Sequence, residues 1–545
     1  MSKSFLKMQL PLMLIVSALM ITLVAWKEDR FAQQKFETRD TIPNKKDRKV
    51  TNIDEAIEEL EKAQIELERS IKNMPIPSID VQKMQLEVQK AMKEIDTAQF
   101  EVHDREVLAK AKSIMSATES PRMWAQAVID AVKRNEEWRG ERCLNLLAPE
   151  APTSPMVRAL LSSEIGTRAA EGHIGRVNRW FAGTQYIDEV ESLCVELLKT
   201  AFRCNYADHR LMGSMLGNMT VFHALTQPGD VIMSAPQPFG GHSSNRYDGP
   251  AGTRGLQIFD VPFNMDELEV DLDSFAKLAR QHKPKLVVMG MSMTLFPLPV
   301  REMSQIISEW DGKFIFDGAH QAGLIAGGQF QDPLNEGAAI LTGSAGKTFS
   351  GPQSGMILWN DPHLTKPITD TIFPALAATH QVNRVAALAV SAAEIIEFGK
   401  FYMAQIVKNS KALGKALDDR GIPVLCAHKG YSQSHQVIAR VKPFGGGLEV
   451  AHRLAQANII TNKNLVPEDK PEDWDRPSGL RIGTIEATRL GMNEKDMETI
   501  ADFFARVLVE KENSEEVGKD VVDFRLPKQT LYYNFDHEYP AWTQV

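Results

Sequence analysis

The stretch TGSAGKTFSGPQSG, residues 342–355, holds one lysine, Lys347, among small residues, directly after the apolar run Ala338, Ala339, Ile340 and Leu341. A second stretch, KFIFDGAHQAG (313–323), runs out of apolar residues at Asp317 and carries His320 three places on. If both runs are strands of one sheet, a carboxylate, an imidazole and an amine stand at neighbouring strand ends and share a cleft. Taken singly, a strand-end aspartate reads as a turn residue and a lysine as a solvated surface group. Taken together, they fit the chemistry of pyridoxal phosphate. That cofactor needs a lysine amine for a Schiff base and an acid at the pyridine nitrogen, so that the ring accepts electrons. It also needs a phosphate cradle, a plate over the ring and, for amino-acid substrates, an arginine fork for the carboxylate. LMGSMLGNM (211–219) offers Gly213 and Ser214 in a loop leading to a helical segment, PFGGHSS offers His242, and SGLRIGT offers Arg481.

The elements that must place these residues alternate in character from about residue 120 onward. Apolar runs predict strands at Val231–Ala235, Lys285–Met291, Lys313–Phe316, Ala339–Thr342 and Met356–Trp359, with helices at Asp271–His282 and Arg301–Trp310 between them. The expected fold class is α/β: a mostly parallel sheet flanked by helices over residues 120–380, then a smaller α+β domain over 381–545 that begins with a helix at Asn383–Phe398.

The N-terminal part reads differently. Residues 10–26 form an uncharged apolar run after Lys3 and Lys7, so residues 1–30 are a hydrophobic leader, membrane anchor or cleaved signal. The lysines and arginines that follow it outnumber those before it, an orientation that keeps an enzyme domain in the cytoplasm if the run is an anchor. Within a helical segment over 50–115, Ile53, Ile57, Leu60, Leu67 and Ile71 follow coiled-coil spacing, MPIP breaks it, and Val81, Met84, Val88, Ala91, Ile95, Ala98 and Val102 resume it. The whole chain has 545 residues, 43% of them hydrophobic, and a net charge of -9, which suits a folded enzyme and argues against nucleic acid as a partner. Cys143, Cys194, Cys204 and Cys426 lack metal-ligand spacing, read as buried thiols, and point to no metal site.

Ten blocks in order then make the comparison specific: LNLLAPEAPTSP, AAEGHIG, GSMLGNM, QPGDVIM, GGH, HKPKLVVMGMS, FDGAHQAGL, GKTFSGPQSGMIL, NKNLVPED and SGLRIGT. The region from about Trp124 to the C-terminus resembles serine hydroxymethyltransferase and its relatives among the fold-type I pyridoxal-phosphate enzymes. The resemblance implies that Lys347 is the Schiff-base lysine, that Asp317 pairs with the pyridine nitrogen and that His242 stacks on the ring. It implies further that His320 and Ser292 face the cofactor hydroxyl, that Ser214 and its neighbour Gly213 bind the phosphate, that Arg481 with Ser154 holds the substrate carboxylate, and that Glu171 is the acid–base group. A small amino-acid substrate and a homodimer or higher assembly go with that family, and tetrahydrofolate is a candidate co-substrate.

Several places depart from the family pattern. Ala169 and Trp180–Phe181 stand where tyrosines are usual, Gly346 replaces the histidine before the lysine, Met215 stands for a serine, and EDKPEDWDRPSG is unlike the usual folate-side loop. The expected reaction is therefore cleavage or formation of the Cα–Cβ bond of a β-hydroxy-α-amino acid. A folate-independent threonine-type aldolase or transaldolase on the same scaffold is the alternative. An inactive membrane-tethered scaffold would be expected to have lost at least one of Lys347, Asp317 and Arg481, and all three are present.

Overall fold

A computed structural model of the chain describes residues 104–536. The apolar run 10–26 and the heptad pattern of 53–102 lie outside the described residues, among which no helix is long and apolar enough to cross a membrane. The chain divides into two units, Met1–Lys110 and Ala111–Val545, and the sheets, the core and the site all belong to the second.

Seven strands form the large sheet: β1 (Tyr206–Leu211), β2 (Val231–Ser234), β3 (Gln257–Asp260), β4 (Leu286–Gly290), β5 (Lys313–Asp317), β6 (Ile340–Ser344) and β7 (Gly355–Trp359). Their order is β1-β7-β6-β5-β4-β2-β3, with β7 antiparallel to both neighbours and every other pairing parallel. Because β7 runs against both β1 and β6, the carboxyl ends of β1, β2, β4, β5 and β6 all open on one edge. The strand Leu286–Gly290 is buried at every position, as expected where helices cover both faces of a parallel sheet. All five strand runs read from the sequence are present, with ends shifted by one or two residues. One shift matters: Asp317 is the last residue of β5, in register with Gly290 and Thr342, rather than the first residue after it.

Helix α1 (Gln185–Phe202) precedes β1, α2 (Ser214–Leu225) follows it, and α3 (Val382–Asp419) crosses from the large sheet to the C-terminal part. The sequence reading ends α3 at Phe398, but Met403, Ile406, Ser410, Leu413 and Leu417 continue the buried stripe at helical spacing and carry it on to Asp419. The C-terminal part holds a small antiparallel sheet of β8 (Gln436–Arg440), β9 (Asn462–Asn464) and β10 (Gly479–Gly483), in the order β8-β10-β9. Leu144–Asn145 pairs in parallel with Ile459–Ile460, so Leu144 and Leu146 pack into the C-terminal core beside Val437, Leu480 and Ile482. All four cysteines are free and buried. Burial pushes their thiols upward, that of Cys426 to about 11, so none is a ready thiolate at neutral pH.

Candidate active site

The carboxyl edge of the large sheet gathers most of the residues singled out above. Gly213 and Ser214 follow β1, His242 lies in the loop after β2, Ser292 follows β4, Asp317 ends β5, and Lys347 lies in the turn between β6 and β7. Asp317 is buried, and every partner donates to it: Asn218 Nδ2 at 2.7 Å and Asn245 Nδ2 at 3.4 Å on Oδ2, and the Ala319 amide at 3.2 Å on Oδ1. Asn218 is itself fixed, donating to Ser244 Oγ at 2.9 Å and accepting from Thr342 Oγ1 at 2.8 Å. Gly290 makes room for this arrangement, since a Cβ there would lie 2.5 Å from Asp317 Oδ2 and 2.3 Å from Asn245 Nδ2.

Asn218 was not among the residues read from the sequence. Its signal was the one amide in the mostly apolar helix SMLGNMTVFHAL, where a buried polar group must find partners. Removing it as Asn218→Ala leaves Asp317 and Thr342 short of a partner each. The expected cost is about 1–3 kcal/mol, read as a lower denaturant midpoint together with weaker retention of cofactor.

Lys347 is partly buried, and burial lowers its amine to about 8, with Asp317 resisting the shift and Arg481 adding to it. His242 accepts from the Ser244 amide at 3.2 Å and has Ser244 Oγ 2.8 Å from the same Nδ1. Burial also lowers its affinity for a proton, with Asp317 opposing and Lys347 and Arg481 adding to the shift. Ser292 ties two loops together, its amide and hydroxyl both donating to the Gly240 carbonyl at 2.6 and 3.1 Å.

Arg481 reaches this group from β10. Its Nη1 donates to the Ser292 carbonyl at 2.6 Å and approaches His320 Nε2 at 3.5 Å, while Nε donates to Asn462 Oδ1 at 3.1 Å. The side chain is 8% exposed, and none of the ion pairs among the described residues includes it. Burial alone lowers the guanidinium, to about 10. His320 is held by His435 Nε2 at 3.3 Å and Gln436 Nε2 at 3.2 Å from its Nδ1. Burial holds His320 well below the usual imidazole range and His435 at about 3, with Lys347 and Arg481 adding to both shifts. The cluster thus holds two cationic side chains, three imidazoles kept neutral and one carboxylate, a charge balance that favours an anionic ligand.

The serine hydroxymethyltransferase family model matches residues 122–504. The chain belongs to the serine hydroxymethyltransferase family. It is 44% identical over 411 residues to serine hydroxymethyltransferase of Methanocella arvoryzae, covering 75% of this chain and 96% of that one. With the enzyme of Methanocaldococcus jannaschii it shares 43% identity over 411 residues, 75% of this chain and 95% of the relative. Among solved structures, the crystal structure of L-threonine transaldolase from Pseudomonas fluorescens in its internal aldimine state superposes with a TM-score of 0.70 at 25% identity, covering 77% of this chain and 97% of that one. The fold-type I architecture and the pyridoxal-phosphate-dependent enzyme class expected from the sequence therefore hold.

Two residues expected in the site of a serine hydroxymethyltransferase family member stand apart from this cluster. Ser154 is fully buried, accepts from the Val157 amide at 3.3 Å as the cap of the helix Pro155–Leu161, and bonds Glu394, the partner of Arg489. Its hydroxyl is engaged there and makes no hydrogen bond to Arg481 among the described residues. Glu171 accepts from Thr379 Oγ1 at 2.6 Å, and among the described residues its carboxylate makes no hydrogen bond or ion pair with Lys347 or Arg481. Gly346, which replaces the family histidine, lies against the amide of Gln353: a Cβ on Gly346 would fall 2.5–2.7 Å from the Gln353 amide atoms. The space beside the lysine is filled from the other end of the turn.

Proposed function

We propose that the chain makes or breaks the Cα–Cβ bond of a β-hydroxy-α-amino acid such as serine, with pyridoxal phosphate at the carboxyl edge of the large sheet. The observation that carries this reading is Arg481: a buried guanidinium with no acidic partner among the described residues, beside an amine lowered to about 8. Such a cation is costly unless an anion joins it, and the carboxylate of an amino acid supplies one in a matching planar geometry.

The residues present fit the cofactor. Bound here, pyridoxal phosphate would act as the electron sink for cleavage at the substrate's α-carbon. Lys347 offers a largely desolvated amine as nucleophile, and Asp317, fixed by two asparagines, offers a positioned negative charge. Gly213 and Ser214, at the start of the twelve-residue helix α2, offer backbone donors and a hydroxyl to a phosphate. His242, Ser292 and His320 would hold the ring and its hydroxyl. Arg481 orients the substrate carboxylate. Glu171 moves the proton of the β-hydroxyl, which must leave as the carbon–carbon bond opens and the aldehyde forms.

Glu171 lies in a segment with exposed Val177, Trp180, Phe181 and Tyr186, which supports a homodimer in which a second copy completes the site. Tetrahydrofolate as one-carbon acceptor is the part of this reading that the substitutions at Ala169, Trp180–Phe181 and Gly346 bear on. The likeness to a threonine transaldolase favours, as a second reading, folate-independent action on threonine-like substrates. Purified protein supplied with serine, with and without tetrahydrofolate, and in parallel with threonine or allo-threonine, separates the two. A hydroxymethyltransferase forms glycine from serine at least about tenfold faster when folate is added, as expected when the released one-carbon unit has an acceptor. Folate-independent glycine formation with ready cleavage of threonine assigns the aldolase reading instead.

A further inference from the structure

Behind Glu171 lies a buried cluster that the reading above does not use. Glu191 on α1 is fully buried, and each of its carboxylate oxygens holds a different segment. Its Oε2 accepts from Arg179 Nη2 at 2.6 Å, and its Oε1 lies 2.5 Å from His380 Nε2. Arg179 also donates to Asp188 Oδ1 at 2.7 Å and to the Ala170 carbonyl at 2.7 Å. His209 on β1 completes the cluster, its Nε2 3.6 Å from Glu191 Oε2.

Both held segments lead to Glu171. Arg179 bridges Gly172 in a short antiparallel turn, in which the Trp180 amide donates to the Glu171 carbonyl at 3.1 Å. His380 directly follows Thr379, whose hydroxyl donates to the Glu171 carboxylate at 2.6 Å. We infer that Glu191 is the positioning residue of Glu171, fixing its backbone through Arg179 and its carboxylate through His380 and Thr379. This rests on the acid–base role proposed for Glu171. The ligand atoms of Glu191, His209 and His380 lie within 4.8 Å of one another, a spacing a metal ion could bridge. Arg179, however, already supplies positive charge to Glu191, and buried carboxylates paired in this way need no metal.

Glu191→Gln keeps the shape but loses one of the two arms. In the holoenzyme, kcat for serine cleavage is expected to fall about 100-fold, with serine KM and bound cofactor unchanged. The double variant Glu171→Gln/Glu191→Gln is expected to be no slower than Glu171→Gln alone, because both substitutions act through one group. Thr379→Val is expected to lower kcat, and Thr379→Ser, which keeps the hydroxyl, to restore it. A folded Glu191→Gln enzyme with wild-type kcat, or a double variant slower by the product of the single effects, would overturn the inference. If Glu191→Gln does not fold, the Thr379 pair decides, and equal wild-type rates for Val and Ser overturn it. A wild-type rate for Glu171→Gln would instead remove the role proposed for Glu171 itself.

Discussion

Lys347→Ala should give a colourless protein with no turnover. The amine is the nucleophile proposed above, and its neighbours in the turn, Gly346 and Thr348, offer no substitute. Spectra of the purified proteins should show a visible Schiff-base band in the wild type and none in the variant, and a band retained in Lys347→Ala would place the covalent link elsewhere. The amine's value of about 8 adds a pH dependence. About a quarter of it is neutral at pH 7.5, where an ordinary lysine has about one part in a thousand. Only the neutral form attacks a carbonyl, so uptake of pyridoxal phosphate by stripped protein should rise about tenfold per pH unit below 8 and level off above it. Asp317 raises the lysine value, so in Asp317→Asn the levelling point should move to lower pH.

Arg481→Lys should separate substrate from cofactor. Lysine keeps the charge but offers a point ammonium where arginine offers a planar fork. Losing one charge-assisted hydrogen bond costs about 1.5–3 kcal/mol, which raises KM for serine about 10- to 100-fold. Cofactor affinity should change much less, because the contacts proposed above for the phosphate and the pyridine nitrogen come from other loops, and of the residues proposed to hold the cofactor Arg481 touches only Ser292, at its carbonyl, and His320. Titrating both ligands against the variant checks this, and equal losses of the two would place the carboxylate site elsewhere.

How much of this was legible in the sequence depended on how each feature is written there. Strands β4 and β5 are built on apolar runs and β6 begins in one, so Asp317 and Lys347 could be placed from the runs alone, whereas Ser292 was named through the family resemblance. Strand β1 was missed because YADHRL is polar: its buried Asp208 and Arg210 satisfy each other at 2.6 Å, so burial leaves no hydrophobic pattern. The groups that orient the site are separated along the chain from what they hold. Asn218 lies 99 positions from Asp317, and Gln436 lies 144 from Ser292, so no local spacing announces them. Ser154 was named through its place in a matching block, while its local sequence, a serine before Pro155, also describes the helix cap that the fold shows. At Gly346 the sequence revealed a missing side chain, but only the folded turn shows the Gln353 amide in its place.

The central claim is that this chain opens the bond between the α- and β-carbons. The most direct test supplies the pyridoxal-phosphate-loaded wild-type protein with L-serine and measures glycine and formaldehyde together. Equal amounts of the two, absent in Lys347→Ala, are the predicted result. Pyruvate and ammonia in their place, or no glycine from serine, threonine or allo-threonine, would contradict it.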